Sequence, residues 1–93
     1  MTPESAAALL AEAARIVRAL PPGLARLSVT LADDGRVGIH TQGRDPYGIL
    51  RSLGAMSATR LPSGALFWEA LPGVIVYATA VPAARDWDAE VKL

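Results

Sequence analysis

Residues 20–41 read LPPGLARLSVTLADDGRVGIHT, and across them the spacing of apolar residues changes from helical to extended. Upstream, Leu9, Leu10, Ala13, Ile16, Val17 and Leu20 recur at the roughly 3.6-residue period of one helix face, with Glu12, Arg15 and Arg18 off that stripe. Pro21-Pro22-Gly23 ends the pattern. Beyond it Leu27, Val29 and Leu31 alternate with Arg26, Ser28 and Thr30, and Val37, Ile39 and Thr41 alternate with Arg36, Gly38 and His40. That period of two predicts a pair of half-buried strands. Asp33-Asp34-Gly35 joins them as a hairpin turn, glycine supplying the positive φ that tight loops demand.

Working outward, Thr2-Pro3-Glu4 starts the first helix: a capping hydroxyl, a proline where no N–H is needed, and an acid at the positive end of the dipole. Gly43-Arg44-Asp45-Pro46 repeats that signal, with Asp45 as cap. Tyr47, Leu50, Leu53 and Met56 or Ser57 then mark a second stripe, ending near Ala58. Gly48 and Gly54 weaken this helix by about 1 kcal/mol each relative to alanine. Gly64 to Leu71 and Val74 to Val81 read as strands around Pro72-Gly73. That pair suits a type II turn, which fits strand twist poorly and predicts a bulge or splayed tip.

Leu20-Pro21-Pro22-Gly23 and Leu61-Pro62-Ser63-Gly64 lie 41 residues apart, each read as lying between a helix and a hairpin. Duplication and a shared helix-stop composition account for the likeness equally well. The expected fold is α+β, a two-layer sandwich in helix-hairpin-helix-hairpin order. Its sheet is expected to be four-stranded and antiparallel, with both helices on one face and the hairpin order open. Residues 1–81 form the single expected domain and 82–93 a C-terminal tail, in which Trp87 is expected to dock.

Composition narrows function by exclusion. With 93 residues, 52% apolar and 19% charged, the chain supports one core. It has no cysteine and one histidine, which removes disulfides and a zinc site and leaves no cofactor to expect. Val74 to Val81, the longest apolar stretch, is too short to span a bilayer, and the N-terminus carries Glu4 and Glu12 in place of a basic leader, so a cytoplasmic location is the default. Nine basic residues balance nine acidic ones, which weakens a nucleic-acid reading. Residues 15–60 nevertheless hold seven arginines against Asp33, Asp34 and Asp45. Eight arginines to one lysine, with eighteen alanines, also fits a G+C-rich coding bias.

No constellation carries catalysis. His40 shares a strand face with Ser28 and Thr30, an arrangement that polar faces produce freely. Gly43 to Gly48 has a phosphate-loop glycine spacing but lacks the Lys-Ser/Thr, and Pro46 removes a donor. A capped helix start beside Arg44, with Arg51 further along, is a candidate anion site. Asp86 and Asp88 flank Trp87 in the tail, where solvation is the simpler account.

The second hairpin is the informative region, because it is apolar on both sides. Placing Leu66, Trp68, Ala70, Val74, Val76 and Ala78 in the core leaves Phe67, Ile75, Tyr77 and Val81 on the opposite face. A half-solvated sheet alternates apolar with polar, so this face calls for a cover: the tail, a second copy, or another protein. The expectation is therefore a non-enzymatic interaction module that self-associates, as a dimer, through the second hairpin. The alternative is nucleic-acid binding on the same sheet, with Arg26, Arg36, His40, Arg44 and Arg51 as contacts.

Overall fold

A computed structural model describes residues 2–81. The elements run α1 (Pro3–Arg18), β1 (Arg26–Leu31), β2 (Val37–Gly43), α2 (Pro46–Ser52), β3 (Thr59–Arg60), β4 (Leu66–Leu71) and β5 (Val74–Ala80). The fold is α+β with two helices, as expected. The sheet, however, is five-stranded and mixed, in the order β1-β2-β5-β4-β3, where four antiparallel strands were expected. The expectations for the tail, including the docking of Trp87 and the solvation of Asp86 and Asp88, fall outside the described residues.

The mixed character comes from one choice. Because β4 and β5 form an antiparallel hairpin, whichever of them lies beside β2 decides the sense of the joint. Strand β5 takes that place and runs parallel to β2, pairing Val37 with Val74, Ile39 with Val76 and Thr41 with Ala78. Parallel pairs are characteristically buried, and Val74, Val76 and Ala78 are the residues of the second hairpin best able to fill such a site. All three are fully buried, as are Val37 and Ile39 opposite them. The one buried polar side chain among the described residues, Thr41, is satisfied across the same joint, its Oγ1 donating to the Tyr77 carbonyl at 2.8 Å. The fifth strand is β3, a two-residue strand antiparallel to β4.

Both helices cover the inner strands from one side. Ala13 of α1 and Ile49 and Leu50 of α2 join β2, β4 and β5 in one core, flanked by Leu9, Ile16, Val17, Leu20, Leu53 and Trp68. Helix α1 begins as its sequence implies: Thr2 Oγ1 accepts from the Ser5 N–H, and Ser5 Oγ reciprocates on the Thr2 N–H, a capping box. Leu10, counted on the apolar stripe, is 40% exposed. Helix α2 is capped by Asp45, whose Oδ1 accepts from the Gly48 N–H at 3.0 Å, but it stops at Ser52, short of Ala58. Gly54 at φ +90° marks that stop. Met56, beyond that stop, is exposed, as is Tyr47 in the first turn, and Ile49 beside Leu50 makes the buried contact.

The two L-P-x-G segments serve different joints. Ala32 N–H donates to the Arg36 carbonyl and Gly35 N–H to that of Ala32, closing a three-residue loop with Gly35 at φ +85°. Leu61 and Gly64 make the same two bonds, to Ala65 and Leu61. The second L-P-x-G therefore turns the chain between β3 and β4, whereas the first links α1 to β1. The expected irregularity around Pro72-Gly73 is present as a register shift between Glu69 and Leu71.

Strand β1 lies outside the helices' reach. Leu27, Val29 and Leu31 share the helix-bearing side with Thr41, Ile39 and Val37, yet remain 43%, 43% and 41% exposed. Position under a helix, not side-chain type, thus sets what each strand residue contributes. Ile39→Ala is expected to lower unfolding free energy by about 2–5 kcal/mol, and Leu31→Ala on the same side by under about 1 kcal/mol. Urea denaturation of the two variants measures the difference.

Candidate interaction surface on the open sheet face

The side of the sheet away from the helices carries the residues that point out from the core. Strand register sorts them into rows. The middle row runs Ser28, His40, Tyr77, Phe67 and Thr59 across all five strands. One neighbouring row holds Arg26, Gln42 and Thr79; the other holds Thr30, Gly38, Ile75 and Glu69. Three rings thus stand side by side on adjacent strands, with Ile75 next to them and polar residues at the margin.

The rings are fixed by their neighbours. His40 lies flat on Tyr77, ring centroids 4.8 Å apart and planes 4° from parallel. Its Nε2 is 3.1 Å from Thr30 Oγ1, a hydrogen bond along the β1–β2 ladder. Phe67 approaches Tyr77 from the other side at 6.3 Å, tilted by 38°. Gly38 makes room for this arrangement, since a Cβ there would come within 2.9 Å of His40 Nε2 and 3.1 Å of Thr30 Oγ1. A glycine inside a strand often marks such a close approach.

Of the residues singled out from sequence, Phe67, Ile75 and Tyr77 come together on this face and are half-buried by one another, while Val81 lies at the end of β5 and is exposed. His40 joins them as a stacked ring. The cations do not assemble. Arg26 sits on the open face beside Gln42, whereas Arg36 is at the far end of the hairpin, paired with Asp34 at 3.5 Å. Arg51 lies by α2, 3.5 Å from Asp45 Oδ2, and Arg44 lines a concavity there with Asp45 and Gly48. Asp45 already accepts from the Gly48 N–H and faces Arg51, so the helix start is occupied by the chain's own carboxylate.

Two features escaped sequence reasoning. Arg60 stacks over Tyr47, its guanidinium carbon 5.6 Å from the ring centroid, at a cleft of about 350 Å³ bounded also by Arg51 and Met56. The uncovered apolar side of β1 is the other. No helix among the described residues is long and apolar enough to cross a membrane, and those residues contain no cluster of three His, Asp or Glu able to hold a metal ion. Compared with known protein families, curated proteins and solved structures, the chain finds no match.

Gly38→Ala tests how the ring row is held. The added methyl is expected to push the His40 ring off Tyr77, moving the ring-proton resonances of this sole histidine away from their stacked positions. Unfolding free energy should change by less than about 1 kcal/mol. Unmoved His40 resonances would show that Gly38 does not set the stack.

Proposed function

We propose that the chain is a small non-enzymatic interaction module that self-associates through the open face of its sheet, with Phe67, Ile75 and Tyr77 as the apolar centre and Val81 at its edge. The observation that carries this reading is the aromatic row on the side of the sheet away from α1 and α2. Aromatic residues inside a polar margin are the composition of protein interfaces, whose centres hold most of the binding energy. Ser28, Thr30, Gln42 and Thr79 supply the margin. The face is also self-complementary in charge: Arg26 and Glu69 occupy diagonally opposite corners, so a two-fold packing can set one against the other. His40 fits a packing role, as its Nε2 is engaged by Thr30 and its ring by Tyr77.

A second reading is favoured by the same row. Stacked rings beside Arg26 and Gln42 are a platform on which single-stranded bases could lie. It ranks lower because the formal charge is zero and Arg36 is spent on Asp34.

Light scattering across a concentration series separates the two. The native chain is expected to dimerise, and Tyr77→Glu to abolish association through this face by placing a charge at its centre. A native chain that stays monomeric, while binding a fluorescent oligonucleotide with strong salt dependence, would move the conclusion to nucleic acid.

A further inference from the structure

We infer that β1 is a second, separate contact, an edge at which two copies of this chain pair strand to strand. It goes beyond the face contact and uses different atoms.

Three observations converge on β1. Among the described residues it is the outer strand of the sheet, bonded only to β2. In an antiparallel ladder alternate residues turn their N–H and C=O groups inward and outward. Because Ala32 N–H donates inward to Arg36, the inward set is Ser28, Thr30 and Ala32, and the outward set is Leu27, Val29 and Leu31. Those same three residues carry the exposed apolar side chains, at 43%, 43% and 41%. One short stretch therefore offers a strand both its hydrogen bonds and an apolar strip.

Natural sheets guard such edges with proline, lysine, bulges or brevity. The opposite edge follows that rule, since β3 is two residues long and runs into Pro62. Between Arg26 and Leu31 there is no proline and no charge after Arg26.

The occupant is argued from self-complementarity. An antiparallel pair related by a two-fold axis at Val29 sets Val29 against its own copy and Leu27 against Leu31 of the second copy. Both apolar strips then fall on the helix-bearing side, where neither α1 nor α2 covers β1. The charges match in the same register. Arg26 stands at one end of the strand and Asp33 at the other, and among the described residues neither belongs to an ion pair. Pairing brings Arg26 opposite Ala32 of the second copy, next to that copy's Asp33. The two sheets become continuous and their open faces lie side by side. With one short strand from each copy, this contact is at the small end of specific interfaces, so reversible association is expected.

The test uses the Tyr77→Glu chain, in which the face contact is removed. Sedimentation equilibrium should show a concentration-dependent dimer that Val29→Pro weakens by roughly tenfold or more, since it deletes an outward donor and an apolar contact at the axis. Proline is tolerated where the strand N–H faces solvent, and circular dichroism verifies the fold. Val29→Cys in the otherwise native, cysteine-free chain gives an independent readout: it should oxidise to a covalent dimer, while Ser28→Cys, on the other side and away from its own copy, should not. Dimers that survive Tyr77→Glu and are lost when Val29→Pro is added establish the edge, while the face is read separately, from whether the chain with Val29→Pro alone still associates. Dimers lost with Tyr77→Glu and indifferent to Val29→Pro, or a Val29→Cys chain that does not cross-link, overturn the edge pairing.

Discussion

The parallel joint between β2 and β5 organises the molecule. It merges two hairpins into one sheet, and its residues Val37, Ile39, Val74, Val76 and Ala78 are fully buried where both helices pack. The Val37 N–H donates to the Gly73 carbonyl at 2.7 Å at one end, the Thr41 hydroxyl crosses to the Tyr77 carbonyl, and the Val81 N–H reaches the Gly43 carbonyl at the other. Hydrogen bonding and apolar burial therefore coincide along the whole joint. With helices occupying one side of these strands, the reverse side and the flanking β1 are left to other uses.

Much of the local structure was legible because it is written in short-range chemistry. The Thr2 and Asp45 caps, the Asp33-Asp34-Gly35 turn and the bulge beside Pro72-Gly73 each depend on residues a few positions apart. Strand order does not. Whether β4 or β5 lies against β2 is a contest between two apolar strands of one hairpin, and it is decided by how Val74, Val76 and Ala78 pack under Ala13, Ile49 and Leu50 from distant parts of the chain. The two-residue β3 is too brief to show a period. Helix α2 is shorter than its apolar stripe, because Leu53 and Met56 continue a spacing that Gly54 breaks.

The candidate surface divides along the same line. Alternation along β4 and β5 was enough to place Phe67, Ile75 and Tyr77 on one side, apart from the core. That His40 would stand beside Tyr77 depended on the β2–β5 register, which spacing within either strand does not encode. Gly38 was the available hint, a strand glycine that leaves space for a ring. The exposed row of β1 was hidden for a related reason: Leu27, Val29 and Leu31 have the spacing of core residues, and only the sheet's width relative to its two helices leaves them uncovered.

The most direct check is the sense of the central joint, read from interstrand nuclear Overhauser effects on the isotopically labelled chain. Contacts linking the backbone of Ile39 to Val76 and of His40 to Tyr77 in the staggered pattern of parallel strands are the result expected here. Close Hα–Hα pairs between β2 and β4, the mark of antiparallel neighbours, would contradict it and with it the open face and the free edge.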